Sequence, residues 1–183
     1  TIMRATGRVA GLSVFERHHY RMTSKPRPIV DERDIVEIAE RIDAHGEVIV
    51  PLDEDAVRAA GARLARAGVE AVAVAFLFSH KNDAHERRAA EILREAMPGA
   101  FVTTSSEVAP EIREYERTTT ACVNAYVQPR VHGYLDRLAG DLAALGFGGN
   151  LYIMLSGGGI TTVDDAKRFP VRLIESGPAA GAM

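Results

Sequence analysis

Residues 69–78, VEAVAVAFLF, place nine apolar side chains around one charge, Glu70. The run is far shorter than the roughly 20 residues a membrane-spanning helix needs. It also lacks the in–out alternation of a sheet with one wet face. Such a segment demands a strand covered on both sides, which parallel sheets achieve with helices. The neighbouring sequence supplies them. DEDAVRAAGARLARAG (53–68) begins with Asp53 as an N-cap and acids in its first turn, shares Val57, Ala60, Leu64 and Ala67 on one face, and stops at Gly68. NDAHERRAAEILREAMPG (82–99) is a second amphipathic helix, capped by Asn82 or Asp83 and ended by Pro98-Gly99. AFVTTSSEV (100–108) follows as a strand, which completes a β-α-β unit.

On the N-terminal side, TSKPRPIVDERD holds Pro26 and Pro28 and reads as an extended connector. In IVEIAERIDAHGEVIVPL, Val36, Ile38 and Ile42 fall on one face, and Val48 and Val50 resume after a turn at Gly46, a hairpin pattern. Beyond the β-α-β unit, Ile112, Tyr115, Thr119, Cys122 and Tyr126 form one helical stripe. Pro129 bends or restarts that helix, and Val131, Leu135, Leu138, Leu142 and Leu145 form a second stripe. NLYIMLSG and VRLIESG are expected to be a third and a fourth core strand, with a short helix between them capped by Thr161 or Thr162. The fold class is thus α/β: a mostly parallel core sheet with flanking helices, preceded by an antiparallel hairpin. Residues 1–52 are expected to be an arm and hairpin, and 53–183 the α/β portion running into the start of a further domain.

Net charge is −3, from 22 basic and 25 acidic residues, so no basic field exists to hold nucleic acid or an acidic membrane. The single cysteine, Cys122, forbids an internal disulfide and suits a reducing, cytoplasmic compartment. TIMRATGRVAG carries Arg4 and Arg8 and no apolar core, unlike a secretory leader. The chain opens at Thr1, with Met3 its first methionine, and closes at the start of an expected helix; both ends are expected to be cuts in a longer sequence.

Three groups of residues have the types and spacing for chemistry. Ser156, Gly157, Gly158 and Gly159 lie at a strand end before a helix, where amides unobstructed by Cβ atoms approach an anion. Ser176, Gly177 and Gly181, around Pro178, form a second such junction. Both also read as plain chain reversals, and neither matches a P-loop or GxGxxG. The third group, Glu107, Glu111, Arg113, Glu114, Glu116 and Arg117, crowds a helix start. Glu107, Glu111 and Glu114 step by four and three, so they share a face that suits acid–base work or Mg²⁺, or else a solvated face with ion pairs such as Arg113–Glu116. The six histidines, His18, His19, His45, His80, His85 and His132, show no metal-binding spacing, so no metal site is expected from them. Cys122 reads as core rather than nucleophile, and no G-x-S-x-G surrounds Ser105 and Ser106.

Taken together, GVEAVAVAFLFSHKNDAHERRAAEILR, SSEVAPEIREYERTTTACVNAYVQPRVHGYL and LYIMLSGGGITTVDDAKRFPVRLIESGPAAGA resemble the hydantoinase A/5-oxoprolinase family. The similarity extends over nearly the whole chain, and IMRATGRVAGLS looks closest to the N-methylhydantoinase branch. The resemblance implies an ATPase of the actin, Hsp70 and sugar-kinase type, with ATP and Mg²⁺ between two lobes. It implies activation of a cyclic amide (a hydantoin or 5-oxoproline-like ring) by phosphoryl transfer, and a hydantoinase B-type partner subunit or domain. The family's two Asp-x-Gly-Gly-Thr phosphate loops do not occur in these residues, so the isolated chain is expected to be inactive and to bind ATP weakly. Subunits of acetone and acetophenone carboxylases share the family, which leaves a carboxylase component as one alternative and a non-catalytic packing or interaction domain as another.

Overall fold

The computed structural model describes residues 29–182. The Pro26–Pro28 connector and the stretch around IMRATGRVAGLS lie outside the described residues. The chain divides into two units between Ile35 and Val36. In the first, a single 3-10 turn, Glu32–Asp34, is described. Everything below concerns the second, which is mixed α/β.

The hairpin forms as expected. Strands β1 (Arg41–Ile42) and β2 (Val48–Val50) pair antiparallel. Their turn is closed by the Asp43 carboxylate, which accepts the amides of His45 (2.8 Å) and Glu47 (2.9 Å), while Gly46 takes φ +92°. Helix α1 (Glu54–Arg66) starts on Asp53, whose side chain accepts the Ala56 amide at 2.9 Å.

Strand β3 (Ala71–Val74), helix α2 (Ala84–Ala96) and strand β4 (Phe101–Thr104) are the β-α-β unit, with β3 and β4 parallel and in register from Ala71↔Phe101 to Val74↔Thr104. Alternation along the strands sorts the two faces. Val72, Val74 and Val102 pack with Val57, Ala89, Ile92, Leu93 and Met97 of the helical layer. Thr103, on the other face, points its hydroxyl at the long helix α4 (Glu114–Ala144), reached through the short helix α3 (Ser105–Val108). The continuous apolar run of 69–78 is thus explained by cover on both sides, by α2 and by α4.

The C-terminal third departs from the expected parallel sheet. Strand β5 (Tyr152–Met154) pairs antiparallel with β6 (Ile160–Thr162), and neither joins β3–β4. Among the described residues there are three two-stranded sheets, of which one is parallel. Helix α5 (Val163–Arg168) follows β6, capped by Thr162, whose hydroxyl accepts the Asp165 amide at 3.2 Å. The expected fourth strand is instead a 3-10 turn, Pro170–Leu173, leading to helix α6 (Ser176–Gly181). Pro170 has no N–H to give a ladder, and Glu175 adopts φ +67°, which no strand contains.

The first half of helix α4 turns the opposite way from its apolar stripe: Ile112, just before it, and Tyr115 and Tyr126 on it are exposed, while Arg117, Ala121, Asn124 and Ala125 are buried. The second stripe faces inward as expected, with Leu135 buried and Val131, Leu138 and Leu142 half-buried, and only its last member, Leu145, exposed. Two small alanines let the helix lie close on β3 and β4, and the polar members of that face find specific hydrogen bonds there. The helix continues through Pro129. Gln128, the residue before it, donates its amide to the carbonyls of Lys167 (3.1 Å) and Arg168 (3.3 Å), which anchors the turn that Pro129 weakens. Gly146, at φ +84°, ends the helix with a bond from the Phe147 amide to the Leu142 carbonyl.

The crossing of α1 on α2 depends on Gly61. A Cβ there would sit 2.8 Å from the Ala96 Cβ and 3.3 Å from Leu93 Cδ2. At Gly140 on α4 nothing lies within 4 Å. G140A is therefore expected to stabilise the fold by up to about 1 kcal/mol, the helix-propensity gain. G61A is expected to destabilise it by about 1–3 kcal/mol through overpacking. Urea midpoints of the two variants beside the unsubstituted chain check the opposite signs.

Candidate functional site

The acidic and basic cluster read from the sequence is split by the structure. α3 ends at Val108, and Ala109, forced extended by Pro110, takes φ −143°. Glu107, Glu111 and Glu114 therefore do not share a helical face. Glu107 forms an ion pair with Arg168. Glu111 sits in the loop and contributes its main-chain carbonyl. Glu114 lies with Oε1 3.8 Å from Arg117. Arg113 and Glu116 form the expected exposed pair, at 3.5 Å. Among the described residues no three His, Cys, Asp or Glu side chains gather as a metal site.

Arg117 is the centre of what remains. Its guanidinium is 1% exposed and donates Nε to Ser105 Oγ (3.0 Å), Nη1 to the Glu111 carbonyl (2.8 Å) and Nη2 to the Phe76 carbonyl (2.9 Å). Ser105 donates its own O–H to Glu86 Oε1 at 2.6 Å, which makes a buried carboxylate–hydroxyl–guanidinium chain. Glu86 is completely buried and also accepts the amides of Phe76 (2.9 Å) and Ser106 (2.8 Å). The Ser79 hydroxyl lies 3.3 Å from that of Ser105. His80 closes the group with Nδ1 3.4 Å from Arg117 Nη1, while its buried Nε2 finds no partner. The centre is buried and ties together the loop after β3, the start of α3 and the start of α4. Glu86 was not singled out from the sequence. Its signal was there: the charge shares the α2 stripe with Ala90, Leu93 and Met97.

The two glycine turns are brought side by side. Ser156 donates its hydroxyl to the carbonyls of Arg172 (2.8 Å) and Ile174, and its amide to that of Arg172 (2.8 Å). This draws the β5–β6 loop onto the residues that lead into α6. The first turn is a hairpin loop rather than a strand-to-helix junction. The Leu155 amide bonds the Gly159 carbonyl at 2.7 Å, and Gly158 takes φ +84°. Gly157, Gly177 and Gly181 have no atom within 4 Å of a Cβ position, so the backbone here is open to an approaching group. α6 begins at Ser176 with no side-chain cap. Cys122 is half-buried, and burial pushes its thiol up, which leaves it a poor nucleophile.

Two family models match the chain: the hydantoinase/oxoprolinase N-terminal region over residues 6–97 and the hydantoinase/oxoprolinase domain over residues 117–183. An uncharacterised protein of Methanocaldococcus jannaschii is 43% identical over 87% of the chain and 23% of its own length. The caprolactamase subunit alpha of Pseudomonas jessenii is 37% identical over 89% of the chain and 24% of its own length. A nucleotide-free structure of acetone carboxylase, from work on ATP-dependent acetone carboxylation, superposes with a TM-score of 0.81 at 27% identity, over 94% of this chain and 24% of that one. The chain therefore spans about a quarter of the length of the curated relatives it matches.

Burial, and then the Arg117 charge, hold His80 below the usual histidine range of about 6.5. The unfolded chain then takes up that proton more readily than the folded one. Stability from neutral His80 is complete above pH 6.5 and falls as the pH drops below it. His80→Asn is expected to flatten that acid-side decline, read as the difference in urea midpoint between pH 7.5 and pH 5.5. An unchanged difference would remove His80 from the account.

Proposed function

The chain belongs to the hydantoinase/oxoprolinase family, and from that premise we propose that it is part of an ATP-dependent enzyme that opens a cyclic amide. The observation that carries this reading is the likeness to a caprolactamase subunit along nearly the whole chain. A lactam carbon resists water because nitrogen donates into the carbonyl. Transfer of the γ-phosphoryl of ATP to the amide oxygen, with ADP leaving, turns that oxygen into a leaving group. Water then adds at the carbon and the ring C–N bond breaks as the nitrogen takes up a proton, which leaves an acyl phosphate; a second water hydrolyses it to carboxylate and phosphate. Catalysis of the first step is chiefly positioning and electrostatic stabilisation.

In this reading the fold is one portion of an actin-like, two-lobed ATPase. The paired turns at Ser156–Gly159 and Ser176–Gly181 border the cleft and offer unobstructed backbone to nucleotide or ring. In this reading Mg²⁺ and the triphosphate are held chiefly by the family's phosphate loops, which these residues do not contain. A hydantoinase B-type subunit or domain completes it, and the lone Cys122 suits a cytoplasmic setting. A second reading, a component of an ATP-dependent ketone carboxylase, is favoured by the superposition on acetone carboxylase.

The test is phosphate release from ATP by the enzyme that contains this chain, purified with its partner. Hydantoin, 5-oxoproline and caprolactam are each supplied as ring substrate, and acetone or acetophenone with bicarbonate as ketone substrate. Ring-dependent release of at least one phosphate for each ring opened is expected. Release that needs ketone and bicarbonate would replace the first reading by the second.

A further inference from the structure

A cavity of about 260 Å³ opens between β4, α3 and the corner where α4 meets α5. At about 30 Å³ per liquid water it has room for roughly nine waters, a small-molecule volume. Its walls are mixed in a particular way. Phe101 and Phe169 give flat apolar surfaces, Gln128 lies beside them, and Arg94 and Arg168 stand with Glu107 as the charged groups. Arg168 and Arg172 both stack on Phe169, with their guanidinium carbons 5.2 Å and 4.5 Å from the ring centroid. Arg94 is exposed and gives one N–H to the Val102 carbonyl at 3.2 Å.

We propose that this cleft is a binding site for a small organic carboxylate with a flat apolar body. The chain already demonstrates the head-group chemistry: the Glu107 carboxylate occupies Arg168. A guanidinium that pairs with one carboxylate can pair with another. A ligand carboxylate takes the place of Glu107 on Arg168 or binds Arg94, and its body lies against Phe101. Two arginines, Arg94 and Arg168, and one glutamate leave the lining net positive, although the whole chain is acidic at −3. The lining contains no residue of the turns assigned above to the ring-opening cleft, and its test does not depend on turnover.

Benzoate is the probe, titrated into the folded 183-residue chain and followed by amide chemical shifts of Phe101, Thr103 and Phe169. Saturable shifts with a Kd on the order of millimolar are expected. E107Q, which frees Arg168, tightens binding by about three- to tenfold, and R168Q weakens it by about tenfold. R94Q serves as a second test from the other side of the mouth, where it too weakens binding. Acetate has the head without the body, and phosphate has charge without either; both are expected to bind about tenfold more weakly than benzoate. Absence of saturation in both the unsubstituted chain and E107Q would overturn the proposal. So would equal binding by phosphate, or an R168Q response identical to that of the unsubstituted chain.

Discussion

A buried guanidinium must find partners for a fixed fork of five N–H donors, and the way Arg117 finds them sets the arrangement of this chain. Its partners come from places far apart in sequence: the Phe76 carbonyl after β3, the Glu111 carbonyl before α4 and the Ser105 hydroxyl at the start of α3. Through Ser105 it reaches Glu86 on α2. A charge in such a position costs several kcal/mol to desolvate, and leaving it unpaired costs about 3–5 kcal/mol. The cost falls on any arrangement in which the loop after β3, the α3 turn and α4 are not all in place together. Specificity of assembly, more than net stability, is what such a chain contributes.

The same logic continues along α4. One turn after another of its buried face is polar and matched to main chain. Asn124 donates to the Arg168 carbonyl at 3.1 Å and accepts the Val171 amide at 3.2 Å, and Gln128 bonds the Lys167 carbonyl. These bonds fix α5 and the 3-10 turn against the β-α-β unit. Asp136 adds a surface tie to Lys167, whose ammonium lowers the carboxyl's pKa. Ser156 then fastens the β5–β6 loop to the carbonyls of that same segment. Arg117, Asn124, Gln128 and Ser156 thus form a relay of side chain to main-chain contacts. It runs from the parallel pair to the open glycine turns, and it is how the fold positions the backbone that the proposed cleft uses.

Much of the β-α-β unit was legible from residue patterns. The apolar run of 69–78, the cap Asp53 and the stops at Gly68 and Gly99 have local causes, and local causes can be read. Long-range causes could not. The stripe from Tyr115 to Tyr126 has the right period for a helix, but period does not say which side is covered, and here the side with Arg117 and Asn124 is. VRLIESG looks like a strand because apolar composition does not separate a strand from a 3-10 turn; Pro170 was the clue against it. Of the candidate site, Arg117 was named within its cluster. Its carboxylate counterpart Glu86, 31 positions earlier, and the meeting of Ser156 with Ile174 depend on tertiary folding, which spacing alone does not reveal.

The central claim is that Glu86 and Arg117 act as one unit through Ser105, and a double-mutant cycle measures it most directly. Urea unfolding of the unsubstituted chain, Glu86→Gln, Arg117→Met and the pair would give the coupling energy. The account predicts at least about 1 kcal/mol, with the double variant less destabilised than the sum of the singles. Additivity within about 0.3–0.5 kcal/mol, the behaviour of independent sites, would contradict it.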